Sequence, residues 1–383
     1  MAEQINIGMI GYKFMGKMHS HAYRDLSFFF PDSPKPCLKA VSGRNESAVK
    51  KAAEEMGWHS YETDWRHLIQ RDDIDVIDIV TPNHTHPEIA IEAAEAGKHI
   101  ISEKPLALDV KDANRMLEAV EKNNVVHMVC HNYRFAPAVQ YAKQLIEKGY
   151  LGKIHHIRAH YLQDFIIDPS FPLIWRLKKE VAGSGALGDI GIHSIDLARF
   201  LVGEMEEVSS MMKTFVEERP VPSEEGGLRG TSNQNEYGQV TVDDAIAFLA
   251  KFKNGAMGIF EATRFAGGNR NKNKFEINGE TGSIRWDMER MNELDVYFTD
   301  SPEGLQGFRT IHCTEEQHPY AGAYWPPGHS IGYEHTFIHL VHQFFQGISA
   351  NYSPHPNFKD GLMNQRVMES IENSAINRGW EKI

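Results

Sequence analysis

Ile5-Asn6-Ile7-Gly8-Met9-Ile10-Gly11-Tyr12-Lys13-Phe14-Met15-Gly16 is the stretch on which the fold turns. Residues 5–10 read as a short buried strand and 11–16 as a glycine turn. Residues 15–28 read as a helix, which Pro31, Pro34 and Pro36 bring to an end. Outward from there the same order repeats. Strands at 38–42, 76–80, 98–102 and 125–130 alternate with helices at 46–56, 87–96 and 109–123. Such alternation makes βαβ units and hence a parallel sheet. A strand, a glycine turn and a helix N-terminus also aim backbone N–H groups at a phosphate. Residues 1–130 are therefore expected to form a dinucleotide-binding Rossmann domain.

Beyond residue 130 the pattern changes. A helix at 137–148 precedes strand-like runs at 153–163, 207–216, 244–253, 256–262, 273–278, 282–287 and 293–298. Short glycine turns such as Lys253-Asn254-Gly255 join several of them, which is hairpin logic and predicts an antiparallel sheet. Residues 217–238, rich in Gly, Ser and Glu, read as a mobile excursion, and helices at 333–346 and 359–377 close the chain. The expected organisation is α/β, with a second α+β domain over 131–383.

The 383 residues carry a formal net charge of −12, which argues against a nucleic-acid or anionic-membrane partner. No run of about 18 apolar residues is present, so no membrane span is expected. The first residues lack a charged segment leading into a long apolar core, so no signal peptide is expected. Cys37, Cys130 and Cys313 form no spaced cluster, which fits a reducing compartment, the cytoplasm by default.

Two strings carry chemistry. Ser102-Glu103-Lys104-Pro105-Leu106 supplies a lysine where the strand-helix alternation runs out, with Pro105 fixing the turn, a place for a cis bond. Gly188-Asp189-Ile190-Gly191-Ile192-His193 opens a helix, with Asp189 expected as its N-cap and His193 four residues on along the same face. A lysine, a histidine and a carboxylate beside a dinucleotide suit hydride removal from an alcohol, because the hydroxyl proton must leave with the hydride. In the phosphate turn Lys13 stands where GxGxxG has its middle glycine. After the second strand, Ser42-Gly43-Arg44-Asn45 has no acid to bond a ribose, and Arg44 suits a 2′-phosphate. His335, His339 and His342 share a helical spacing, but they make half a site at most, and no metal is expected. The string from Tyr320 to His329, with Tyr324 and Trp325, suits either stacking on a sugar or simple packing.

IGMIGYKFMGKMHSHAY (7–23), the run 75–107 ending in EKPLA, and GSGALGDIGIHSIDLARFLVGE (183–204) together resemble the Gfo/Idh/MocA family of oxidoreductases over nearly the whole chain. Within it, HNYRFAPAV (131–139), YLQDF (161–165), the run 175–190 and FEATRFAGG (260–268) are most similar to sugar dehydrogenases of the levoglucosan and glycoside 3-dehydrogenase type. The resemblance implies a C-terminal domain with a large open, mainly antiparallel sheet whose outer face builds a homo-oligomer, a dimer or tetramer. It implies Lys104, Asp189 and His193 as catalytic residues. It implies a cofactor site with Thr81, Pro82, Asn83, His86, Trp175 and Arg176, to which the reading of the turns adds Gly11, Lys13, Phe14, Met15, Arg44 and Glu103. NAD is the implied cofactor, against the pull of Arg44 toward NADP. Tyr133, Gln163 and Asp164 are expected to hold substrate hydroxyls.

The expected reaction is oxidation of a secondary hydroxyl, at C3 of a sugar or glycoside, to a keto-sugar. An inositol or another polyol is the alternative substrate. The rivals from other classes are a metal-dependent sugar isomerase and a non-catalytic cofactor-binding regulator.

Overall fold

The computed structural model describes residues 4–223 and 232–383. It divides into two compact units, residues 1–132 with 333–365, and residues 133–332 with 366–383. The reading from sequence assigns all of 131–383 to one domain, whereas 333–365 belong with the first unit.

The first unit alternates β1 (Gln4–Ile10), α1 (Phe14–Phe29), β2 (Lys35–Ser42), α2 (Glu46–Met56), β3 (Ser60–Glu62), α3 (Trp65–Ile69), β4 (Val76–Ile79), α4 (His86–Glu95), β5 (His99–Ser102), α5 (Val110–Lys122) and β6 (His127–Val129). The strands form one parallel sheet in the order β3-β2-β1-β4-β5-β6. β3 and α3 are absent from the sequence reading, because three and five residues carry too little periodicity. β4 is buried at all four positions, as expected of a strand covered on both faces. Ile77, Ile79, Ile89, Ile100 and Met116 close the core on that side, each worth roughly 1.5–3 kcal/mol of burial. Asn45, Asp64 and Asp109 cap α2, α3 and α5 through their side chains.

The second unit holds α6 (Pro137–Glu147), β7 (Ile154–Leu162), α7 (Lys179–Ala182), a π turn at Leu187–Gly191, α8 (Ile192–Leu201), β8 (Met205–Lys213), β9 (Glu218–Pro222), β10 (Ser232–Gln239), β11 (Ala245–Phe252), β12 (Met257–Thr263), β13 (Lys272–Gly279), β14 (Gly282–Asp287), β15 (Glu293–Phe298) and β16 (Arg309–His312). α9 (His335–Ser349) returns to the first unit, α10 (Phe358–Asn377) starts there and ends in the second, and β17 (Glu381–Lys382) is the final strand. Nine strands form one sheet in the order β16-β15-β14-β13-β7-β12-β11-β8-β17, antiparallel except for the β12–β7 pair. α6 and α8 pack on one face, and β11 and β12 alternate buried and exposed residues accordingly. The other face exposes Met211, Leu249, Met257 and Ile259, with Leu249 and Ile259 directly paired across strands.

The excursion read at 217–238 is instead an antiparallel ribbon of β9 and β10, and residues 224–231 lie outside the described residues. Arg219 anchors it. Its fully buried guanidinium donates to the carbonyls of Ile166 and Asp168, and Leu173 N–H donates to Pro220 O at 2.8 Å. No helix among the described residues is long and apolar enough to cross a membrane.

Candidate active site

In the first unit the chain runs outward from β1 to β3, then jumps back to β4, so β1 and β4 flank a topological switch point, where open α/β sheets bind ligands beyond the C-terminal strand ends. Every cofactor residue expected from residues 1–130 follows one of these ends. Gly11 leaves β1 with φ of +107°, and a Cβ there would meet Val80 O at 2.8 Å, so glycine is required. Lys13 has a negative φ of −79°, so the backbone there does not demand glycine on account of φ. Lys13 and Phe14 are exposed at the N-terminus of α1, with Met15 half-buried. Arg44 is exposed after β2. These features fit a dinucleotide. A helix N-terminus faces the turn, and at Gly43 a Cβ would lie 2.1 Å from the Tyr12 ring, so only glycine lets the two turns pack.

After β4, Thr81 and Pro82 are half-buried and Asn83 is buried. His86 is completely buried rather than presented to a ligand. Its ring nitrogens lie 3.0 Å from Pro105 O and 3.0 Å from Thr81 O, so it bolts the turn after β4 to the turn after β5. Burial holds its pKa below the ordinary histidine value, so one nitrogen donates and the other contact is weak. Lys104 is half-buried, and the Lys104–Pro105 bond is cis, as the turn suggested. Glu103 is buried, with Oε2 accepting the Lys104 N–H at 3.2 Å and Oε1 lying 3.1 Å from His19 Nε2.

In the second unit Asp189 lies inside the π turn and is not the N-cap, contrary to expectation, since Ala186 and Gly191 hold the N-cap positions. Asp243, 54 residues further along, caps instead: its carboxylate accepts the N–H of Gly185 at 2.7 Å and of Leu187 at 2.9 Å. Asp189 faces Arg176, whose Nε lies 3.8 Å from Oδ1, and Arg264, whose Nη1 lies 3.6 Å from Oδ2. Arg264 is fully buried, and its Nη2 donates to Asp243 O. Arg176 stacks on Trp175 at 4.3 Å, so the expected cofactor pair is turned onto Asp189.

His193 is buried against the Tyr133 ring at 4.8 Å, edge to face. Tyr133 Oη and Tyr161 Oη lie 2.8 Å apart, and Asn271 Oδ1 accepts from Tyr161 Oη at 2.5 Å and from Gln163 Nε2 at 3.0 Å. Asn271 therefore joins two of the three expected substrate residues. Asp164 is tied into the 266–270 loop through Gly268 N–H and Arg270. Asp243, Arg264, Tyr161 and Asn271 were not identified as site residues from sequence, although Tyr161 and Arg264 lie within the YLQDF and FEATRFAGG strings. Their partners are distant along the chain.

Among the described residues, the single group of three possible metal ligands is His19, Glu103 and Cys130, with ligand atoms within 4.8 Å. The helical histidines pack instead on Phe29 and Phe30, His342 at 4.3 Å from the Phe30 ring.

Residues 5–131 match the oxidoreductase family with an NAD-binding Rossmann fold, and 139–285 match the GFO/IDH/MocA C-terminal domain. The chain belongs to the Gfo/Idh/MocA oxidoreductase family. Within the family it is 45% identical to levoglucosan dehydrogenase of Pseudarthrobacter phenanthrenivorans, over 99% of this chain and 98% of that one. A solved levoglucosan dehydrogenase in complex with NADH and levoglucosan superposes with a TM-score of 0.94 at 44% identity, covering 100% of both chains. Myo-inositol 2-dehydrogenase of Thermotoga maritima is a more distant Gfo/Idh/MocA relative, 27% identical over 94% of this chain and 92% of its own.

Proposed function

We propose that this chain is an NAD-dependent dehydrogenase that oxidises the C3 hydroxyl of a pyranose ring, in a glucoside or an anhydro-sugar. The observation that carries the reading is the state of Asp189. Set beside the guanidiniums of Arg176 and Arg264, its carboxylate is suited to accepting from a hydroxyl next to the reacting one. The 45% identity to levoglucosan dehydrogenase supports the substrate class.

NAD, when bound, accepts a hydride, and the side chains do the rest. His193 takes the hydroxyl proton, its ring oriented by the edge-to-face contact with Tyr133. Lys104 donates to the same oxygen and stabilises its developing negative charge. Tyr133 and Gln163, held by Asn271, bind further hydroxyls and so set which C–H is presented. The outer face of the nine-stranded sheet is assigned to a homo-oligomer, and the three free cysteines suit a reducing compartment, the cytoplasm.

A cyclic polyol is the second reading, favoured by the myo-inositol 2-dehydrogenase relative. Incubation with NAD and, separately, glucosides, levoglucosan and myo-inositol, followed by NMR of the products, separates the two. A 3-keto-sugar is expected. Turnover of inositol alone, or a ketone at another carbon, overturns the C3 assignment.

A further inference from the structure

His19, on α1, is 1% exposed and has carboxylates on both ring nitrogens. Nδ1 lies 3.0 and 2.9 Å from the two oxygens of Asp78, and Nε2 lies 3.1 Å from Glu103 Oε1. A neutral imidazole has a single N–H and would set its other lone pair against a carboxylate. Carboxylate oxygens facing both ring nitrogens therefore suit an imidazolium, which donates from each. Burial opposes that charge, but Asp78, by charge and hydrogen bond, together with the neighbouring Cys130 outweighs it and holds His19 well above the ordinary value. Glu103 answers in kind: burial pushes it up, yet His19 and Lys104 bring it below its usual range. Tyr23 donates to Asp78 at 2.9 Å, burial pushes the neighbouring Cys130 thiol up to about 12, and the Phe337 ring of α9 lies at 5.4 Å.

We propose that His19 is a positioning residue for Lys104: bridging Asp78 and Glu103, it locks the Glu103 carboxylate, which holds the backbone N–H of Lys104 and so fixes the aim of the lysine. The inference rests on the reading of Lys104 as the group that grips the reacting hydroxyl. Both Glu103 oxygens are engaged within the first unit, so Glu103 serves as a strut between α1 and the turn after β5. Without the imidazolium, a buried Glu103 loses its counter-charge and takes up a proton nearer neutrality.

The first arm reads charge without activity. In protein carrying ¹³C-labelled histidine, the His19 signal, assigned by its loss in His19→Gln, is expected to keep imidazolium shifts from about pH 6 to 9. In Asp78→Asn and Glu103→Gln it is expected to titrate inside that window. The second arm reads position: the NMR signal of ¹³C-dimethylated Lys104 is expected to shift in His19→Gln. The third arm reads turnover: kcat of His19→Gln is expected to fall about 10²-fold, with KM for sugar and Kd for NADH within about threefold. Its pH profile gains an acid limb near neutrality that His19→Gln/Glu103→Gln lacks. If His19→Gln does not fold, Glu103→Gln carries the second and third arms. If the wild type oxidises no sugar, the dehydrogenase reading fails alone and the first two arms still decide. A His19 signal titrating near 6.5, an unmoved Lys104 signal, or a His19 signal that responds reversibly to zinc and chelator overturns the proposal.

Discussion

At the scale of single residues, the site depends on carboxylates whose partners decide their roles. Asp243 accepts from two backbone N–H groups of the turn that carries Asp189, whereas Asp189 faces Arg264. Replacing Asp243 by Ala removes both acceptors and a negative charge near the buried Arg264, although burial already costs that carboxylate part of its gain. The expected loss is about 2 kcal/mol, read as a lowered urea midpoint at unchanged slope. Lys104→Ala and His193→Ala, by contrast, are expected to lower kcat by about 10²–10⁴-fold while the urea midpoint stays near that of wild type. Turnover near wild type in either variant removes that residue from its assigned role.

At the scale of elements, short strands depend on side chains from far along the chain. β6 has only three residues, and His127 Nδ1 accepts the N–H of Phe358, at the start of α10, at 3.1 Å. That bond needs neutral His127, and burial lowers its pKa to about 4. Between about pH 6.5 and 4 the unfolded chain therefore takes up a proton that the folded chain refuses. Stability is full above the unfolded value and falls as pH falls, by about 3 kcal/mol from this one group. His127→Asn, which keeps an acceptor but cannot titrate, is expected to lose stability less steeply over that window in urea titrations. Equal steepness would show that another group carries the acid limb.

At the scale of the whole molecule, the nine-stranded sheet covers only one of its faces. Met211, Leu249, Met257 and Ile259 leave adjoining apolar area on the other, more than isolated soluble chains usually expose. Ile259→Lys, opposite Leu249, sets charge at the centre of that patch. Light scattering at micromolar concentration is expected to show an oligomer for wild type and a smaller species for Ile259→Lys. A wild type that is already a monomer rules out the assembly assigned to this face.

Sequence alone determined whatever is periodic or local. The alternation in residues 5–130 gave the parallel sheet, hairpin glycines such as Gly255 gave the antiparallel one, and Lys104 and His193 were legible because they sit in short strings beside a proline and glycines. Tertiary structure alone decided partnership. That Asp243 rather than Asp189 caps the turn, that Asn271 ties Tyr133 to Gln163, and that His19 lies between Asp78 and Glu103 are contacts across tens of residues or more, and His86 reaches the turn at Pro105, 19 residues on. The same holds for α9, which periodicity marks as a helix but which only packing assigns to the first unit, where Phe337 and Phe345 meet His19 and Tyr23. The physical reason is common to all of them. A local pattern reports how a segment satisfies its own backbone and which face it buries, whereas the choice of partner is made by the fold that brings distant segments within hydrogen-bonding range.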